Sequence, residues 1–172
     1  MAEGEKTRVR VRERPPLKEN PYEVNMQKRQ ERVERNRTGK VVVKPSDREV
    51  FMARQGRLQY LLNPNVYNDT PLQDWQVFKH EIRTRSGKHR HQGGIIIYVL
   101  EGNGYSIIDG ERVDWKEGDL VLLPLKPDEV VHQHFNEDPD KPATWIAFYS
   151  IPIAEHIAAE TEQIENSPEF KS

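Results

Sequence analysis

From residue 89 onward the chain alternates between short apolar runs and glycine-bearing turns. Ile95 to Leu100 gives way to Gly102-Asn103-Gly104, and Tyr105 to Ile108 gives way to Asp109-Gly110. Leu120 to Leu123 follows Lys116-Glu117-Gly118-Asp119. Runs of this length separated by such turns predict antiparallel strands. The expected strands cover residues 89–91, 95–101, 105–109, 111–115, 120–124, 130–135 and 143–149. Asp-Gly is a favoured hairpin turn because both positions tolerate positive φ. The fold class is therefore all-β, a jelly-roll-like barrel or small sandwich.

The flanks carry different periods. Tyr22 to Arg37 has helix-forming composition, with Tyr22, Met26 and Val33 on one thin face, a stripe too weak to hold a helix without packing. Pro15-Pro16 and Pro21 mark residues 1 to about 20 as an extended arm. Val41-Val42-Val43 and Leu58 to Leu62 read as short strands, and Ser46-Asp47-Arg48-Glu49 fits a capping box opening a turn or two of helix to about Arg54. Trp75 to Ile82 leads as a strand into residues 85–91. Past Pro152, which can open a helix, Ile153, Ile157, Thr161 and Ile164 recur at helical spacing. The expected divisions are a charged arm and helix over 1–45, a barrel over 46–152 with its motifs in 85–136, and a C-terminal helix and tail over 153–172.

Two histidine clusters bracket the strand-rich region: His89-Arg90-His91 and His132-Gln133-His134-Phe135-Asn136. Residues two apart on a strand share a face, so each cluster projects two imidazoles together. Two converging strands then bring three or four imidazoles to one place, which is a metal site. Neutral imidazole binds divalent iron, manganese, nickel, copper or zinc, so ligand type leaves the metal open.

These residues resemble the two motifs of cupins. His89, His91 and Gly102 match the first motif, while its glutamate position holds Ile95 and its early glycine falls at Arg83. Gly118, Pro124, His132 and Asn136 match the second, across a loop three residues longer than the basic pattern. The resemblance implies a double-stranded β-helix, with His89, His91 and His132 as metal ligands. His89-Arg90-His91, Val99-Leu100-Glu101-Gly102-Asn103-Gly104, Gly118-Asp119 and His132 to Asn136 narrow it to gentisate and related ring-cleaving dioxygenases. Those are three-histidine iron(II) cupins acting on hydroxylated aromatic acids with dioxygen, usually as two-cupin chains.

Further roles follow from that resemblance. With Ile95 in place of a carboxylate ligand, the metal keeps its full divalent charge and an anionic substrate can chelate it through two oxygens. The bland reading is a cupin with a weakened site. His134 is a candidate proton acceptor, or else a fourth ligand or core histidine. Gln92, Ile95, Tyr149 and Arg83, with Arg85, are candidates for substrate contact, Arg83 as the partner of a carboxylate. Arg90 and Tyr98 face outward by alternation, and Tyr105 and Trp145 are further cavity candidates. Asn136 braces a strand end, while His80 and His156 are assigned no role.

Composition adds limits. The 172 residues suit one domain, and the lack of cysteine removes disulfides, thiolate ligands and a cysteine nucleophile. Residues 1 to 40 hold 12 Lys/Arg against 7 Asp/Glu. The signs interleave, however, as on a solvated helix rather than a nucleic-acid-binding face. No apolar run approaches the roughly 20 residues that span a bilayer, and the start lacks the apolar stretch of a secretory signal. The expected setting is cytoplasmic, without membrane or nucleic-acid partners, and the expected assembly is a homodimer. Three functions compete: an iron dioxygenase of a small aromatic or enolic acid, a redox-neutral metal-dependent lyase or isomerase, and a non-catalytic ligand-binding cupin.

Overall fold

A computed structural model describes residues 18–171 of the chain. Of the extended arm expected over residues 1 to about 20, residues 1–17 lie outside the described residues. Eleven strands among those described form two antiparallel sheets. The six-stranded sheet runs in the order β1 (Phe51–Ala53), β2 (Gly56–Leu62), β3 (Trp75–Ile82), β10 (Ala143–Ser150), β5 (Ile95–Glu101), β8 (Leu120–Leu123). The five-stranded sheet runs β11 (Glu162–Glu165), β4 (Lys88–His91), β9 (Val130–Asn136), β6 (Asn103–Ile108), β7 (Glu111–Lys116). The β6–β7 hairpin turns through Asp109 and Gly110, at φ 51° and 88°, the pair of positive angles that an Asp-Gly turn supplies.

The two sheets line the space between them differently. The six-stranded sheet turns in apolar side chains: Leu58, Phe78, Ile82, Ile97, Val99, Val121, Leu123 and Trp145 are all buried. The five-stranded sheet turns in His89, His91, His132, His134 and Ser106, beside Val130 and Trp115. An apolar wall thus faces a wall of imidazoles. That lowers the local dielectric around titratable groups, which favours their neutral forms.

Flanking elements depart from expectation in three places. Helix α1 (Pro21–Thr38) is present, capped by the Asn20 side chain on Tyr22 N–H, but no residue in it is buried. Val41-Val42-Val43 is not a strand, and Val41 and Val42 are open to solvent. β-branched composition favours a strand only where a neighbour offers a ladder. Only a single 3-10 turn (Pro45–Asp47) stands where the capped helix was expected, closed by Asp47 on Lys44 N–H rather than by Ser46 and Glu49.

The largest correction is C-terminal. Helix α2 (Ile151–His156) is six residues long, and its continuation is strand β11. β11 pairs with β4, Gln163 opposite His89 and Glu162 opposite Arg90. The unpaired edge of β4 outweighs a sparse apolar stripe, because edge N–H and C=O groups need partners. Among the described residues no helix is long and apolar enough to cross a membrane.

Candidate metal centre

The centre is built by pairing β4 with β9. His89 lies directly opposite His132 in that ladder, and His91 lies two residues along on the same face. The alternation that turns these rings inward turns Arg90 outward, where it pairs with Glu162 and Glu129. His89, His91 and His132 each offer a ring nitrogen, and the three lie within 4.8 Å of one another, all buried. The Nε2 atoms of His91 and His132 are 2.8 Å apart. Two nitrogens bound at right angles to one ion, at bond lengths of about 2.1 Å, stand about 3.0 Å apart. No carboxylate belongs to this group among the described residues.

Burial sets the charge state of the rings. It pushes His89 and His91 down to about 4, with the Gly87 carbonyl opposing the shift at His89 and the neighbouring His89 adding to it at His91. His132 and His134 fall well below the usual imidazole range, through burial first and then the charges of neighbouring histidines. At neutral pH the rings are uncharged, the form that coordinates a metal.

Hydrogen bonds fix the tautomers. His89 Nδ1 faces the Gly87 carbonyl at 3.3 Å, and a carbonyl only accepts, so Nδ1 carries the proton and Nε2 the lone pair. At His91 the arrangement is reversed: Gly93 N–H donates to Nδ1 at 2.9 Å, which leaves the proton on Nε2. That proton points at His132 Nε2, whose own proton therefore sits on Nδ1 and is shared with His134 Nε2 at 3.1 Å. The donor set fits a divalent ion: His89 and His132 already present lone pairs, while His91 must move its proton opposite Gly93. Gly93 and Gly94, at φ 79° and 71°, form the backbone turn there.

The other expected site residues divide. Ile95 and Tyr149 line a cavity of about 230 Å³ into which His89 and His91 open, together with Gln55, Tyr60, Gln76, Phe78 and Thr161. Arg83 does not reach it. On β3, Phe78, His80 and Ile82 point inward, so Arg83 follows the outward parity and bonds Glu81 at the surface. Gln92 likewise turns away from the cavity, and its Oε1 accepts from Glu160 N–H. His134 lies behind His132, with both ring nitrogens engaged, Nε2 by His132 and Nδ1 by Ser106 Oγ at 2.7 Å. Trp145 is buried in the core. Tyr105 stacks on Phe135 and carries the Arg112 guanidinium over its ring. Asn136 donates to the Arg83, Asp138 and Lys141 carbonyls and so ties the end of β9.

Sequence reading missed Gln55, Tyr60, Gln76, Phe78 and Thr161. Phe78 could have been found, since it shares a strand face with Ile82. Thr161 could not, because it depends on the tail turning back as β11. His80, assigned no role, is wholly buried, its Nε2 without a partner and its pKa pushed down to about 3 by burial first.

The sequence and the pattern of strands have counterparts in known proteins. Residues 77–149 match the model of the cupin domain. That stretch carries His89, His91 and His132. A gentisate 1,2-dioxygenase of Ralstonia sp is 30% identical over 84 residues, 45% of this chain and 22% of that protein. Gentisate 1,2 dioxygenase 1 of Aquipseudomonas alcaligenes is 35% identical over 66 residues, 38% of this chain and 18% of that protein. The matched stretches therefore span about a fifth of these relatives. In fold, the chain resembles salicylate 1,2-dioxygenase from Pseudoaminobacter salicylatoxidans, crystallised with gentisate. The TM-score is 0.51 at 22% identity, over 67% of this chain and 32% of that one. Streptomyces PAC13 with uridine has a TM-score of 0.52 at 12% identity, over 74% of this chain and 92% of that one. The stretch that matches the cupin model thus resembles gentisate dioxygenases in sequence and a salicylate dioxygenase in fold, and it holds the three-histidine cluster.

Proposed function

We propose that this cupin is an iron(II)-dependent dioxygenase that opens the ring of a small hydroxylated aromatic acid, with His89, His91 and His132 as its metal ligands. The observation that carries the reading is an all-imidazole donor set at the wall of a small, uncharged cavity. Three neutral donors leave the ion's charge to be balanced by the substrate, which selects an anion chelating through carboxylate and hydroxyl oxygens. The ion supplies charge to hold that anion and one-electron chemistry toward dioxygen. Both oxygen atoms end in the ring-opened acid, so no second reductant is consumed.

The cavity's own residues account for the rest of the selectivity. Its volume of about 230 Å³ is below the usual range of about 300–1,000 Å³ for drug-sized ligands, which suits a single ring. Tyr60, Phe78, Ile95 and Tyr149 offer flat apolar walls that exclude water, and Gln55, Gln76 and Thr161 offer hydrogen bonds to ring substituents. Among the described residues no charged side chain lines the cavity, so the carboxylate's counter-charge is the metal's, not an arginine's. In this reading the two sheets are the halves of a double-stranded β-helix closed around the site.

The test is oxygen uptake by anaerobically iron-loaded protein, offered gentisate, salicylate and other hydroxylated benzoates. Uptake of one dioxygen per ring opened, absent in His132→Ala, is the expected result. Turnover of an enolic or hydroxy acid with no oxygen consumed would instead place the centre among redox-neutral lyases or isomerases.

We also propose a homodimer. Two cross-strand rows on the outer face of β10, β5 and β8, Phe148-Ile96-Leu122 and Ile146-Tyr98-Leu120, are wholly uncharged. Leu120, Leu122, Ile96 and Tyr98 are solvent-exposed. A two-fold axis sets such a face against its own copy without opposing like charges.

A further inference from the structure

Behind the metal-facing rings runs a hydrogen-bonded chain whose two ends can only donate. At one end is Gly93 N–H, on His91 Nδ1 at 2.9 Å; at the other is the Trp115 indole N–H, on Ser106 Oγ at 2.9 Å. Between them stand the imidazoles of His91, His132 and His134, each within hydrogen-bond distance of the next. A neutral imidazole accepts at one nitrogen and donates at the other, so in the metal-free chain the Gly93 end dictates one direction throughout. His91 donates to His132, His132 Nδ1–H donates to His134 Nε2, and His134 Nδ1–H donates to Ser106 Oγ. Ser106 is fully buried and receives both this proton and that of Trp115.

We propose that Ser106, held by Trp115, is a positioning residue that fixes the tautomer and ring orientation of His132 through His134. The inference rests on the metal reading of His132 given above. A metal at His132 Nε2 needs the proton on Nδ1, and that requires His134 to accept at Nε2 and donate at Nδ1. Among the described residues Ser106 Oγ is the only partner of that Nδ1 proton. With serine replaced by alanine, a buried Nδ1–H has no acceptor. The cheaper arrangement puts the His134 proton on Nε2, facing His132 Nδ1, and so drives the His132 proton to the metal-facing nitrogen.

Local packing supports a built device. Trp115 can reach Ser106 only because residue 104 has no side chain: a Cβ on Gly104 would stand 2.6 Å from the Trp115 ring and 2.0 Å from the Phe135 carbonyl oxygen. Gly104, Ser106, Trp115 and His134 come together through the registers of β6 with β7 and β9, where Gly104 pairs with Trp115 and Ser106 with His134. None of these four residues lines the substrate cavity.

The experiment is a cobalt(II) titration of the full chain, followed by the visible spectrum of the bound ion. Wild type is expected to bind one equivalent. Ser106→Ala is expected to bind one equivalent about 10- to 100-fold more weakly, as for other residues that orient metal-bound histidines, with a shifted visible band. His134→Gln, whose amide oxygen can accept from His132 Nδ1, is expected to bind near wild type, and His134→Leu as weakly as Ser106→Ala. Adding Ser106→Ala to His134→Gln should then cost nothing more, whereas a merely structural serine would weaken both backgrounds alike. Should Ser106→Ala not fold, Ser106→Cys keeps the volume with a weaker acceptor, and intermediate affinity is expected. Unchanged affinity and spectrum in Ser106→Ala (or in Ser106→Cys, where that variant stands in), or equal binding by His134→Gln and His134→Leu, overturns the positioning role alone. Failure of wild type to bind cobalt overturns the metal reading beneath it.

Discussion

His89, His91 and His132 converge because a strand's pleat gives each ring its direction and the β4–β9 register gives it its neighbour. Replacing His89 or His132 with alanine should lower metal affinity by at least about 100-fold, measured by competition titration. The aromatic wall should respond differently: Tyr149→Ala should raise KM with metal content unchanged. The buried rings also predict the acid limit of the metal-free protein. Their folded-state pKa values lie below the unfolded value, at about 3 for His80 and about 4 for His89 and His91. Their contribution is therefore complete above about pH 6.5 and is lost as pH falls toward 4. Each ring takes away about 1.4 kcal/mol per pH unit in that window. Urea unfolding at pH 7.5 and 5.5 should show a loss of several kcal/mol, and a flat profile would contradict neutral burial. The histidine positions were legible because a two-residue period needs no tertiary information. Arg83 was misplaced because its nearness in sequence was allowed to outweigh its parity on β3, which turns it outward.

Individual elements show where sequence stops being informative. Strands bounded by turn residues appeared nearly where expected: β5 spans Ile95–Glu101 and β7 Glu111–Lys116 between glycines, and β9 Val130–Asn136 between Pro127-Asp128 and Asp138-Pro139. Each contains its own period and turn signals. β11 does not, since Glu162–Glu165 is polar and becomes a strand only because β4 offers an edge. The same dependence on a neighbour explains Val41 to Val43, which have β-branched side chains but no ladder. Gly104 gives a sharp test at this scale. Gly104→Ala forces a methyl against the Phe135 carbonyl and the Trp115 ring. It should destabilise the β6–β7–β9 sheet by about 2 kcal/mol or more, read by thermal unfolding. Gly110→Ala meets no neighbour and should cost only the strain of its positive φ.

Across the whole molecule, an apolar sheet packed on a histidine-bearing sheet separates stability from chemistry. The six-stranded sheet supplies most of the core, so the five-stranded sheet can bury polar rings at the centre. The outer face of the six-stranded sheet leaves Ile96, Tyr98, Leu120 and Leu122 uncovered. Helix α1, with no buried residue, is too polar to cover it. Leu122→Glu should convert the expected dimer to monomer in sedimentation equilibrium, with the thermal midpoint barely moved. A wild-type chain that sediments as a monomer would contradict the pairing. The central claim is that three imidazoles from two strands hold one catalytic metal ion. Its most direct test is iron content after anaerobic loading and desalting, compared between wild type and His132→Ala. The account predicts one iron per chain in the first and none in the second; equal iron in both, or none in either, would contradict it.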